Sequence, residues 1–484
     1  MTDNSTLVVF GAKGNLSRIK LIPGLFHLDE AGKLPEKMKI LSVGRQKVSQ
    51  DDWVNEIKGM LDKKFNGKYN SKVFDRFIKR NIYHANLPED PDAFKKFSDL
   101  LLNDDRFPKN FAFFLSVRPS DFALIVDQLE NENLLNESQY WRRVLIEKPF
   151  GTNLKSAVKL QESISRHLKE TQIYRIDHYL GKSSLQNILW TRFSNTIFEK
   201  IWNNKHIDHI QITNHETLGV GERTQFYDAT GALRDMIQSH LLQMLALTAM
   251  ERPKTFSPND IRIEKIKLLK SIKSIPIDNI DKHAFRAQYK SGTIDKEGQV
   301  KGYLEELENN ESVVETYAAV KLFIDNPRWR ETPIYLRTAK RLDKSGTFIS
   351  IKFKNDKGNE KSDSNNWLVF SIQPKESTYF EIQTKTPGLN EVDLRTTKLE
   401  GMTRLDDDEK IDAYETLMLD LLEGNQSRFL HIDEVKAAWA LIDPVIESWT
   451  KNKKPVHQYT AGLGDPLASN VIFENKSQFW RKGN

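Results

Sequence analysis

His178 and Lys182 stand four residues apart, a spacing that puts two side chains on one face if the segment is helical. A histidine and a lysine so placed can hold a phosphate dianion together, and the hydroxyl of Tyr179 can add a neutral donor. His240 lies in a helical pattern whose apolar side is Leu233, Ile237 and Met244. A histidine on such a face is either a satisfied core residue or a base. The second role suits it because its pKa lies near neutral pH. In isolation, Glu216 and Asp235 read as capping or salt-bridge residues, and Lys340 reads as a surface lysine.

A second cluster follows the first apolar run, Thr6 to Phe10. The chain there reads Gly11-Ala12-Lys13-Gly14-Asn15-Leu16-Ser17 and continues into a helical pattern through His27. A glycine turn between a strand and a helix lets backbone N–H groups and the helix N-terminus approach a pyrophosphate. The pattern is GxxGxx, without a third glycine, so a plain turn that binds nothing is the competing reading. Gly11, Lys13, Gly14, Asn15, Leu16 and Lys20 are the candidate cofactor-binding residues of this segment. The run Lys39 to Gly44 ends in Arg45-Gln46-Lys47, where an NAD-preferring fold would carry an acid for the ribose 2′-OH. Arg45 suits a 2′-phosphate and favours NADP, while the neutral Gln46 leaves NAD possible.

The elements that must position these residues fall into two patterns. Thr6 to Phe10, Lys39 to Gly44, Phe111 to Ser116 and Arg143 to Glu147 are near-continuous apolar runs separated by helical segments, which predicts a parallel sheet buried on both faces. Beyond about residue 205, Ile207 to Glu216, Ile349 to Phe353, Trp367 to Ile372 and Tyr379 to Gln383 alternate with period two. That predicts an antiparallel sheet with one wetter face, interrupted by helices at Ala232 to Met250 and Tyr414 to Leu422. Asn355 to Asn366 reads as a polar surface loop. At 484 residues, two domains are the natural expectation, and the apolar content of 38% suits a globular chain. The absence of any apolar run of membrane-spanning length argues against membrane insertion. Cysteine is absent, which removes disulfides and thiolate chemistry and fits a reducing compartment. The 72 basic and 67 acidic residues are interspersed, so nucleic-acid binding is not expected. No ligand spacing suggests a metal.

The block Arg175-Ile176-Asp177-His178-Tyr179-Leu180-Gly181-Lys182 resembles the active-site signature of glucose-6-phosphate dehydrogenases. Glu147-Lys148-Pro149-Phe150-Gly151, Tyr227 to His240, Phe323 to Trp329, Arg337 to Leu342, Gln373-Pro374, Asp443-Pro444 and Tyr459 to Gly462 are similar to further family segments, in family order. The resemblance implies a Rossmann-like α/β N-terminal domain, residues 1–180, that binds NADP. It also implies a larger α+β domain, residues 181–484, with a mostly antiparallel sheet that supplies a homodimer interface. It implies oxidation of glucose 6-phosphate at C1 in the cytoplasm. In that reading His240 is the base and Asp177 its orienting carboxylate. His178, Tyr179, Lys182 and Lys340 hold the phosphate, Glu216 and Asp235 orient the sugar, and Lys148 reaches both substrate and cofactor. Four positions depart from the family pattern. Asn15 replaces an aspartate, Arg118 puts a charge at the expected nicotinamide end, and Ala339 replaces a glycine. Ser345 occupies the place of a second basic phosphate ligand, with Lys344 beside it. Two other readings stay open: a dehydrogenase of another sugar, which would leave the His178 and Lys182 pair unfilled, and a non-catalytic sensor, which would be expected to lose His240 or Asp177.

Overall fold

The computed structural model describes residues 3–86, 89–295, 297–355, 366–387, 394–402, 411–451 and 455–483. The loop expected over Asn355 to Asn366 lies almost wholly outside them. The chain forms two compact units. One comprises Met1–Lys182, Thr255–Arg262 and Lys410–Lys436, and the other Ser183–Lys254, Ile263–Glu409 and Ala437–Asn484.

The first unit is built on six parallel strands, β1 (Ser5–Phe10), β2 (Lys39–Gly44), β3 (Asn81–Ala85), β4 (Asn110–Leu115), β5 (Arg142–Ile146) and β6 (Ile173–Ile176). Their order across the sheet is β6-β5-β4-β1-β2-β3, the doubly wound arrangement of dinucleotide folds. Side chains alternate across the pleat, so β1 sends Leu7 and Val9 into one core and Val8 and Phe10 into the other. Both cores are closed, which is why β1 from Leu7 and β4 from Phe111 are apolar to their ends. The order reverses between β1 and β4, and the loops after these two strands hold the glycine turn and Arg118.

A late segment completes this unit. The helix Ala413–Glu423 lays Leu417, Met418 and Leu421 into the core of Leu7, Leu25 and Phe26. Asp412 caps its start by accepting from the Tyr414 N–H, and Gly424 ends it in the left-handed region. Arg143 on β5 donates to the carbonyls of Leu421 and Leu422 at 2.6 and 2.7 Å. Phe429–Leu430 then pairs antiparallel with β6, and the Phe429 ring meets Tyr174 edge-on at 4.9 Å.

The second unit carries a nine-stranded sheet. Its order is Leu394–Met402, Ser377–Lys385, Trp367–Gln373, Gly346–Phe353, Ile207–His215, Ile334–Ala339, Tyr317–Leu322, Ala284–Lys290, His457–Thr460. All pairings are antiparallel except Ile207–His215 with Ile334–Ala339 and His457–Thr460 with Ala284–Lys290. The expected wet face is missing from the central strands, where Tyr317–Leu322 and Ile334–Ala339 are buried throughout. The reason is that two other segments cover the sheet. The helix from Leu233 packs on these strands, and the C-terminal segment brings Phe473 and Trp480 onto the Tyr335 ring at 4.8 and 6.1 Å. Alternating exposure survives only toward the outer strands.

Candidate functional site

The glycine turn is a tight joint between neighbouring strands. Gly11 has φ +79°, and a Cβ there would lie 2.1 Å from the Ser116 carbonyl oxygen beyond β4. Its N–H and that of Ala12 both donate to the Val43 carbonyl at 3.0 Å, and Gly14 N–H closes the turn on Gly11 O at 2.9 Å. No side chain caps the start at Leu16, and the helix winds in wide i→i+5 turns over Ser17–Leu21 before Ile22–Glu30 tightens to α. The joint at Gly11, which only glycine fits, lies at the reversal point of the sheet, the place where dinucleotide folds bind their ligand.

Around the end of β2 the structure gathers cations and carboxylates. Lys13 Nζ lies 2.8 Å from Glu56 and donates to Gln46 Oε1 at 3.2 Å. Arg45 Nη2 reaches Asp121 Oδ2 at 3.3 Å and Glu89 Oε1 at 3.4 Å. Arg118 Nε is 3.9 Å from the same Asp121 oxygen, so Arg118 shares a carboxylate with Arg45. Lys20 stands apart from this group and bonds Asp412 at 2.6 Å.

The signature block forms no helix. Asp177 to Gly181 is a turn closed by Leu180 N–H to Asp177 O and Lys182 N–H to Tyr179 O, each 3.0 Å. His178 and Lys182 are therefore gathered by a turn, about Tyr179: the His178 ring is 4.9 Å from the Tyr179 ring, and Lys182 Nζ sits 4.5 Å over its face. Asp177 is buried and accepts from the Tyr179 N–H at 3.0 Å. On the other side of His178 lies Tyr414, its ring stacked at 6.3 Å with an interplanar angle of 7°. Tyr414 also donates to Glu147 Oε1 at 3.0 Å, beside Lys148 and its cis bond to Pro149. Burial pushes the Glu147 carboxyl up to about 7, against the pull of the Tyr414 hydroxyl and of Lys148. Tyr414 escaped the sequence reading because it stands far along the chain and no local pattern ties it to His178.

In the second unit, His240 is fully buried on Leu233–Leu241, a segment wound in i→i+5 turns that continues as the α-helix Leu242–Ala249. Glu315 anchors its start. One carboxylate oxygen accepts from Leu233 N–H at 2.9 Å, and its carbonyl accepts from Ala232 N–H at 3.0 Å. Asp235 lies on the same segment, where its carbonyl accepts from the Ser239 hydroxyl at 2.8 Å. Lys340 pairs with Glu216 and lies 5.3 Å from the Tyr227 ring centre. Ala339 sits in regular strand opposite His215 and Tyr317, so the position tolerates a side chain. Ser345 is exposed and its hydroxyl accepts from Thr217 N–H at 2.8 Å. Lys344 and Ser345 line a cavity of ≈ 290 Å³ with His215, Lys375 and Lys482. Burial and then Arg337 push His215 down to about 3, so it is neutral there.

The family models described as glucose-6-phosphate dehydrogenase, NAD binding domain and C-terminal domain match residues 8–187 and 189–481. The chain belongs to the glucose-6-phosphate dehydrogenase family. It is 38% identical to the glucose-6-phosphate 1-dehydrogenase of Chlamydia pneumoniae, over 98% of this chain and 95% of the relative. Against that of Bacillus subtilis (strain 168) it is 37% identical, over 98% of each. A solved glucose-6-phosphate dehydrogenase in complex with its substrate glucose-6-phosphate superposes with a TM-score of 0.90 at 32% identity, covering 99% of both chains. The family makes this chain an oxidoreductase of the pentose phosphate pathway that uses a nicotinamide cofactor. Among the described residues no helix is long and apolar enough to cross a membrane.

Proposed function

We propose that this glucose-6-phosphate dehydrogenase family member oxidises β-D-glucose 6-phosphate at C1 to 6-phospho-D-glucono-1,5-lactone, with NADP preferred and NAD usable. The observation that carries the reading is the turn at Asp177 to Lys182, where a half-buried histidine, a lysine and a tyrosine meet above a buried carboxylate. His178, Tyr179 and Lys182 hold the phosphate, joined by Lys340 and, in the second basic position, by Ser345 with Lys344 beside it. Binding a dianion at Lys340 exchanges its carboxylate partner Glu216 for the ligand. Glu216 is then free to accept from a sugar hydroxyl, as Asp235 does.

His240 takes the O1 proton while Asp177 fixes its tautomer and stabilises the imidazolium. The bound nicotinamide supplies the acceptor for the C1 hydride. Gly11, Gly14, Asn15 and Leu16 offer backbone to the pyrophosphate, with Lys13 and Lys20 supplying charge, and Lys148 contacts substrate and cofactor. Arg45 binds a 2′-phosphate, and Gln46 accommodates the bare ribose. The exposed outer strand Leu394–Met402, with Leu394, Leu399 and Met402 open to solvent, supports a homodimer built on the nine-stranded sheet, which light scattering would test. The remaining parts of the proposal are a cytoplasmic setting and an enzyme without metal.

Glucose 6-phosphate supplied with NADP or NAD in parallel tests the reading through the ultraviolet absorbance of the reduced nicotinamide. Rapid reduction with NADP and slower reduction with NAD is the expected outcome. A folded protein that binds ligand and reduces neither would overturn it.

A further inference from the structure

A carboxylate beside a 2′-phosphate ligand is out of keeping with phosphate recognition, and the end of β2 carries one that is held in place. Asp121 closes the one-turn helix Pro119–Asp121 that follows β4 and leads into the α-helix Phe122–Asn131. Its Oδ1 accepts from the Ser120 hydroxyl at 2.9 Å, while Oδ2 lies 3.3 Å from Arg45 Nη2 and 3.9 Å from Arg118 Nε. The other carboxylate near Arg45, Glu89, is 58% exposed against 17% for Asp121, so it can swing into water where Asp121 cannot. A proline-led turn and a hydroxyl contact therefore keep one negative charge against the arginine that reads the cofactor.

That charge acts unequally on the two cofactors. A 2′-phosphate brought to Arg45 must displace Asp121 or sit beside it, like charge against like charge. A ribose 2′-OH brings no charge, and as a hydroxyl it can donate to a carboxylate. We propose that Asp121 is a specificity-determining residue that lowers affinity for NADP and leaves affinity for NAD nearly unchanged, and so holds the enzyme near dual use. The inference rests on the reading of Arg45 as the 2′-phosphate ligand. Arg118 is the partner that Asp121 keeps when the phosphate takes Arg45.

The test is equilibrium binding of NADPH and NADH to the full-length protein, followed by nicotinamide fluorescence, for Asp121→Asn, Asp121→Ser, Arg45→Ala and the Asp121→Asn/Arg45→Ala double variant. Removing the Asp121 charge is expected to tighten NADPH by roughly two- to fivefold, on the scale of a partly exposed charge pair, and to leave NADH nearly unchanged. The gain should shrink in high salt, where such charges are screened, and should vanish on the Arg45→Ala background. If Arg45→Ala weakens both cofactors equally, the reading of Arg45 fails and takes the inference with it. If Arg45→Ala weakens NADPH alone but both Asp121 variants bind NADPH as the parent does, the inference alone is overturned. Equal tightening of both cofactors overturns it as well.

Discussion

At the scale of single residues, His240 and Arg45 carry claims about the chemistry, and Glu147 carries one about stability. Asparagine at position 240 stays polar and uncharged but is smaller and loses the base, so kcat should fall by about 10²–10⁴-fold or more while KM for glucose 6-phosphate changes little. A variant with near-normal kcat would remove His240 from the mechanism. Arg45→Ala should raise KM for NADP far more than for NAD, and steady-state kinetics with both cofactors decides it. Glu147 makes a claim about pH. Its carboxyl is pushed from 4.5 up to about 7, so between those values the unfolded chain has lost a proton that the folded chain keeps. Stability from this group therefore falls as pH rises through that window and is level above it. His215, lowered from 6.5 to about 3, has the opposite sign: the unfolded chain gains the proton first as pH falls, so stability rises with pH between those values. Urea unfolding across the window should show a weaker fall toward pH 7 in Glu147→Gln, and an unchanged slope would show that the carboxyl does not titrate there. The identities of these residues were open to reading because motifs are local. Their partners were not: Tyr414 on His178 and Asp121 on Arg45 are pairs that only the folded chain brings together.

At the scale of elements, the segment Leu233–Leu241 shows where pattern stops being informative. Leu233 and Ile237 satisfy α spacing, and over nine residues the apolar positions cannot separate a 3.6-residue turn from a wider one. The difference matters to the site. Five residues along an α-helix, Asp235 and His240 would point about 140° apart, whereas i→i+5 winding brings them toward one face. Gly231 starts this segment with φ 73° and ψ 166°, a conformation essentially confined to glycine, and a Cβ there would meet Glu315 Oε1 at 2.5 Å. Gly231→Ala should cost about 2–4 kcal/mol through strain and displacement of Glu315. Thermal unfolding would register this as a clear drop in Tm, and an unchanged Tm would mean that Glu315 yields without consequence. The strands were easier to foresee where both faces are apolar, as in β1 and β4. Tyr317–Leu322 and Ile334–Ala339 went unforeseen because buried polar residues such as Lys321 and Arg337 interrupt their apolar runs.

At the scale of the whole chain, the first unit is discontinuous. Residues that close its sheet and one of its cores come from Lys410–Lys436. Nothing in the linear pattern marks this return, since a short amphipathic helix does not say which sheet it covers. A chain stopped after Lys182 leaves β6 an open edge and uncovers Leu25, Phe26 and Tyr174. Such a fragment should bind a hydrophobic dye and aggregate, while the same fragment joined by a linker to residues 411–436 should stay monodisperse in gel filtration. A fragment that is monodisperse without them would show that the late segment is dispensable. The same discontinuity sets a schedule during synthesis. The ribosome finishes Lys182 roughly 230 residues before it reaches the closing segment, a delay on the order of 10–50 s at typical elongation rates. Throughout that interval the nascent nucleotide-binding half carries an unpaired strand edge and a half-covered core. The chain's demand for chaperones should accordingly be concentrated in the middle of its translation and fall once Phe429 emerges.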